Sequence, residues 1–397
     1  MKKRKRLLLA SLVGVIGIVL GSLLYQGLLP FRTLSHGGQI WQMRFSPDGR
    51  FLAAPKREGG LSIWNTHTWK LTQTIPGVFD AYYFLPDSRT LIAERSYSSG
   101  TGPLADKINH GEGLTMAESK QENATMRYLL QRWDVVTGQA TQTVVLTQSA
   151  IESAAPKANR VILRRFAPTA GISVRDTRDG HEVHFLPTAP TVSASVSPDS
   201  RWLAFVDFSK PHGAAQVWDT ETWQPKTLQS SPGPNSADFS PDSKLLEVSS
   251  ARDVTVWRVS DWKQVATFPT NYDDAGRSQF TPDSKQIVAD GSWRNRQQNL
   301  PNTALMIWNV ATGRRIATLK HQYLVDWRLN SRGLATLDMI SIHNILWNTK
   351  TGQRIWEGYG GYFPETAVSP DGHTLLTAHL NSSNANDGGV IEMRHLP

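Results

Sequence analysis

His181-Glu182-Val183-His184 sets two imidazoles and a carboxylate within four residues, the raw material of a metal site. On a strand, positions three apart point to opposite faces, so the pair reads as surface histidines rather than as ligands. Asp273-Asp274 offers the paired carboxylates that acid–base catalysis uses, yet it falls in a stretch with the composition of a solvated turn. No Gly-x-Ser-x-Gly elbow, phosphate loop or His-Glu-x-x-His sequence occurs. The 11 histidines are scattered, and no cysteine is present, which excludes disulfides and thiolate metal sites. What does gather is aromatic and guanidinium chemistry. Tyr272, Trp293, Arg294, Arg296, Tyr323, Tyr359, Tyr362 and Phe363 are of the types that dominate interface energetics, and they form the candidate partner-binding set.

The elements that must position these residues come from a repeated turn. Ser46-Pro47-Asp48-Gly49 recurs as Leu85-Pro86-Asp87-Ser88, Ser197-Pro198-Asp199-Ser200, Ser240-Pro241-Asp242-Ser243, Thr281-Pro282-Asp283-Ser284 and Ser369-Pro370-Asp371-Gly372. Degraded copies at Ala155-Pro156-Lys157-Ala158 and Asn330-Ser331-Arg332-Gly333 fill the gaps. A second signal keeps step downstream: Trp64-Asn65, Trp133-Asp134, Arg175-Asp176, Trp218-Asp219, Trp257-Arg258, Trp308-Asn309, Trp347-Asn348 and a weaker Met393-Arg394. Two coupled signals at a period of about 40 residues define a repeat architecture. Each unit reads strand, Pro-Asp turn, strand, loop, strand, turn, strand. Ile40 to Phe45 and Phe51 to Ala54 are the first two strands of the first unit, and Leu61 to Trp64 the third.

These motifs resemble the WD-repeat (WD40) β-propeller family over nearly everything from Phe31 to Pro397. The resemblance implies an all-β fold of four-stranded blades, with each tryptophan filling the seam between neighbours. The third-strand markers predict eight blades, or seven if Ile151 to Leu186 is irregular. The chain ends before an eighth blade has its fourth strand, so Phe31 to Leu34 is expected to supply it and close the ring, which removes free sheet edges. The chain departs from the family's buried Asp-His-Ser/Thr-Trp set: Glu58 takes the aspartate place in the first blade, and most blades lack the histidine. Trp347 to Gly352 with Trp356 is similar to a docking repeat of quinoprotein dehydrogenases, but Gln142 and Ala317 stand where other repeats would need that last tryptophan. No cofactor is therefore expected.

Ahead of the repeats, Lys2 to Arg6 is wholly basic and Leu7 to Leu24 carries no charge. Eighteen helical residues span about 27 Å, close to the hydrocarbon core of a bilayer. The expected order is a basic cytoplasmic tail at 1–6, a transmembrane signal anchor at 7–24, a linker at 25–30 and the propeller at 31–397. The basic cluster keeps the N-terminus cytoplasmic and places the propeller on the far side of the membrane. A secreted form after signal cleavage is the alternative. Five of the +8 net charges belong to this cluster, which leaves +3 for the rest and argues against a nucleic-acid partner.

Three linkers are long and rich in Ser, Asn, Gly and Gln: Ser96 to Met126, Gly291 to Thr303 and Asn381 to Gly388. All occupy the slot between second and third strands, which in the family lies on the same face as the links between blades, where Tyr272, Tyr323, Tyr359, Tyr362 and Phe363 are expected. One face is elaborated and the other plain, and elaborated loops on a rigid scaffold are where binding resides. The expected function is a membrane-anchored, non-catalytic scaffold for a protein partner, with no small-molecule ligand. The alternative is an export-side enzyme or small-ligand-binding propeller (hydrolase, lyase or quinoprotein-like), for which acids or histidines should converge at the central channel.

Overall fold

The computed structural model describes residues 30–396 except 37–39, 41, 57–59, 99–125, 147–148, 156–158, 167–168, 189–191, 208–214, 229–232, 251, 271–273, 295–300, 322–323, 330–332, 339–342, 360–361 and 381–388. Among the described residues, 32 strands form eight four-stranded antiparallel sheets. In chain order the first seven span residues 44–75, 78–146, 149–187, 192–227, 234–269, 274–321 and 324–359. The eighth takes three strands from 362–395, and its fourth is Arg32–His36, which pairs with Gly389–His395 from Arg32↔Met393 to His36↔Gly389. Phe31 stacks on His395 at 4.2 Å beside this junction. The first strand is shorter than expected. Among its described residues only Arg44–Phe45 is laddered, with an isolated bridge at Ile40↔Lys56.

The Pro-Asp turns form because their hydroxyl and aspartate side chains bond to each other and to nearby backbone N–H groups. Ser46 donates its hydroxyl to Asp48 at 2.7 Å and accepts the Phe51 N–H at 3.0 Å. The same pair of bonds recurs at Ser197, Ser240, Thr281 and Ser369. In the second sheet Leu85 has no hydroxyl, and Asp87 instead takes the N–H and hydroxyl of Thr90 at 2.8 and 2.6 Å. Burial raises the Asp48 carboxyl, but the Ser46 hydroxyl and the Arg50 amide and guanidinium outweigh it and hold the pKa at about 2. The fourth turn residue is left-handed throughout. Gly49 and Gly372 have φ of 75° and 77°, while Ser88, Ser200, Ser243 and Ser284 lie between 56° and 66°. A serine there is strained by roughly 1–2 kcal/mol and needs a reason.

Packing lies between sheets rather than inside them. Eight buried apolar clusters each join two consecutive sheets, from Ile63 with Phe79 and Tyr82 at the first seam to Leu346 and Trp356 with Leu375 at the seventh. One cluster joins the eighth sheet to the first, through Leu376, Ile391 and Met393 against Leu52, Ala54 and Trp64. The marker tryptophans fill these seams as expected, each packing against the sheet before its own: Trp133, Trp257 and Trp308 are buried, and Trp218 and Trp347 pack at their margins. Repeated four-stranded sheets stacked face against face are the construction of a β-propeller.

Candidate functional site

The two ends of the stacked sheets differ. At one end lie the Pro-Asp turns and the tight turns between third and fourth strands. The latter place glycine at positive φ in Gly138, Gly180, Gly313 and Gly352, and tryptophan at the same position in Trp69, Trp223 and Trp262, with φ of 54° to 55°. Trp223 stacks on His184 of the preceding sheet at 4.0 Å, and Trp262 meets Trp202 edge-on at 4.9 Å. Contact across the seam therefore compensates a backbone conformation that bulky residues avoid.

The opposite end carries the connections between second and third strands. Two of these are extended hairpins: Thr90–Ser98 with Met126–Asp134, and Gln286–Arg294 with Pro301–Asn309, each strand nine residues long. The corresponding strands of the first sheet have five.

The predicted interface residues divide accordingly. Trp293 and Arg294, expected in a loop, are strand residues opposite Asn302 and Pro301. Their Ser/Asn-rich neighbourhood has the composition of a loop, but an antiparallel partner continues the ladder. Tyr359 and Tyr362 were expected in a link between sheets. They are instead the last residue of Arg354–Tyr359, opposite His343, and the first of Tyr362–Val368, opposite Leu380, with Phe363 next to it. Tyr272, Tyr323 and Arg296 lie outside the described residues, as do Glu58, Asn381 to Gly388 and the apolar segment at 7–24. Among the described residues no helix is long and apolar enough to cross a membrane.

The chemical motifs resolve into local contacts. His181 precedes its strand and pairs with Asp179 at 2.6 Å, while His184 is the residue stacked on Trp223. Asp274 starts a strand opposite Ser292 rather than sitting in a turn, and Asp273 lies outside the described residues. No cluster of three His, Asp or Glu residues able to hold a metal occurs among the described residues. Trp356 is buried in the seam between the seventh and eighth sheets, with Arg394 5.4 Å from its ring.

A cavity of about 660 Å³ opens at the centre, lined by the first strands of the sixth, seventh, eighth, first and second sheets. Its lining was not anticipated. Arg44 and Arg277 face it, and among the described lining residues there is neither an acid nor a histidine. The Arg44 guanidinium lies 5.0 Å from the Tyr83 ring centroid, and that of Arg277 lies 4.8 Å from Trp327 and donates to the Trp327 carbonyl at 2.6 Å. Asp290, whose carboxyl is pushed up by burial, accepts the Trp327 indole N–H at 2.6 Å just outside the cavity. Only the repeat order, which brings the first strand of every unit to the axis, pointed toward this meeting of distant residues.

The family model "WD domain, G-beta repeat" matches residues 29–65, the span from the ring-closing strand to the first marker tryptophan. Together with the repeated all-β fold, this match supports placing the chain with the WD-repeat family. Among solved structures, the crystal structure of the computationally designed Ika8 protein is similar with a TM-score of 0.58 and 14% identity, covering 94% of this chain and 100% of that one. At that identity the likeness is one of fold. No curated protein matches the sequence.

Proposed function

We propose that this chain is an eight-bladed WD-type propeller, anchored by its N-terminal helix, that works as a non-catalytic scaffold for a protein partner on the non-cytoplasmic side. The WD-type repeat supports an interaction role. The eight sheets, with Arg32–His36 completing the last, support the blade count and a ring without free ends. The single observation that carries the scaffold reading is the asymmetry between faces. Two hairpins of nine-residue strands extend one face, while the other carries tight turns among the described residues. An interface presented on a rigid ring needs little ordering on binding, which favours affinity. The anchor and its sidedness rest on the basic cluster at Lys2 to Arg6 ahead of the uncharged Leu7 to Leu24.

The test is cross-linked capture of the full-length chain from native membranes, beside a version with both hairpins cut to tight turns. A stoichiometric protein held by the first and lost from the second is the expected result. Equal recovery from both would remove the hairpin face from the account.

A further inference from the structure

We propose that the outer strand of the second sheet, Gln139–Leu146, pairs antiparallel with the same strand of a second copy of this chain, about a two-fold axis at Thr143. Each sheet ends outward in a strand with a single partner among the described residues, and such an edge is a template for another strand. Charged side chains are the usual guard against that pairing. Seven of the eight outer strands carry one, at Arg32, Lys70, Glu182, Lys226, Lys263, Arg315 and Arg354. Gln139–Leu146 has neither a charge nor a proline, and at 8 residues it is the longest of the eight. Its part of the rim is also apolar. Val145 is 59% exposed, more than any other large hydrophobic residue described, and Val136 is exposed in the turn ahead of the strand. Gln73 of the neighbouring outer strand donates to the Val136 carbonyl at 3.0 Å, and that strand adds the exposed Leu71.

A two-fold axis makes one strand serve as both partners, so the strand must suit itself. Thr141, Thr143 and Val145 are exposed on one face, while Val144 on the other packs against the seam with the third sheet. With the axis at Thr143, each Thr143 faces its own copy and Thr141 faces Val145 of the second copy. Such threonine and β-branched pairs stabilise an antiparallel ladder. Neutrality is what admits a second copy here, because a charged residue near the axis would meet its like and destabilise the pair. An edge this short lies at the small end of interfaces, so the dimer is a weak one. The proposal is independent of the scaffold reading, because it concerns the rim and not the hairpin face.

Sedimentation of the full-length chain in mild detergent, from about 1 to 200 µM, tests it. A concentration-dependent dimer is expected in wild type. Thr143→Lys should weaken it about tenfold or more, because two ammonium groups would face each other at the axis. Thr143→Glu should do the same. An equimolar mixture of the two variants should re-form the dimer, which a merely misfolded variant cannot do. The chain has no cysteine, so single cysteines report the register. Thr143→Cys should cross-link under mild oxidation, since directly opposed residues of an antiparallel pair stand about 4.5–5.5 Å apart, within disulfide reach. Thr267→Cys, exposed on the outer strand Lys263–Pro269, should not. A monomer across the whole range, a dimer unaffected by Thr143→Lys, a mixture that stays monomeric, or equal cross-linking at the two positions would each overturn the proposal.

Discussion

The backbone N–H of Asp48 donates to the Ser88 hydroxyl at 3.0 Å, forty residues further along the chain and in the next sheet. Asp199 reaches Ser243 in the same way at 3.0 Å, and Asp242 reaches Ser284 at 3.1 Å. At positions 88, 243 and 284 this bond explains why serine occupies a left-handed position, since its hydroxyl clasps the preceding turn, whereas the Ser200 hydroxyl has no hydrogen-bond partner among the described residues. Where the eighth turn meets the first, the fourth residue is Gly49, and a Cβ there would stand 3.5 Å from Pro370.

The clasp makes opposite predictions for two small substitutions. Ser243→Ala keeps the strain at φ 62° and loses the bond, so it should destabilise by about 1–2 kcal/mol. Ser243→Gly loses the bond but relieves the strain, and should stay within about 0.5 kcal/mol of wild type. Urea unfolding of the two variants decides the matter. Equal midpoints would mean that the hydroxyl and the backbone strain do not compensate each other.

The seams should respond to truncation more strongly than the turns. Trp308 is 2% exposed and packs with Phe268 at 5.6 Å between ring centroids. Trp308→Ala should cost about 3–5 kcal/mol, and Met393→Ala, at the seam between the eighth and first sheets, about 2–5. Thermal unfolding measures both. A loss below about 1 kcal/mol for Met393→Ala would show that the seam between the two ends of the chain is not formed.

A third prediction concerns pH. Asp238 and Glu247 are register partners on adjacent strands of the fifth sheet, Glu247 fully buried and Asp238 partly so. Burial lifts the Asp238 carboxyl up to about 6. It also lifts that of Glu247, and the Asp238 charge pushes Glu247 further the same way. A carboxyl whose folded pKa exceeds its unfolded value binds more protons in the folded state. Its contribution is therefore greatest at low pH and is lost as pH rises from 3.8 through about 6. Glu247→Gln should flatten that decline, so the gap between variant and wild type widens in the variant's favour over this window. The turn aspartates have lowered pKa values and act in the opposite sense below 3.8, outside it. Urea midpoints from pH 4 to 7 test this, and a gap that stays constant with pH would contradict it.

Much of the architecture is legible in the chain because it depends on local chemistry repeated many times. Ser-Pro-Asp closes a turn by itself, and a tryptophan at the end of the third strand has one place to go. The misplaced boundaries at Trp293 and Tyr359 arise because composition describes a segment alone, whereas strand pairing depends on what lies opposite. The cavity arginines escaped notice for a related reason. Arg44 and Arg277 belong to different repeats and share a space only once the sheets stack about an axis. The serines of the clasp did leave a trace, since serine is a poor choice for a position that glycine fills in two other turns.

The most direct test of the scaffold reading is site-specific photo-cross-linking in native membranes. A photoreactive residue would replace Trp293 or Arg294 on the hairpin face, or Lys244 or Arg178 on the turn face, in the full-length chain. The account predicts one dominant protein adduct from the hairpin positions and none from the turn positions. Adducts from the turn face alone, or no adduct from the hairpin face, would contradict it.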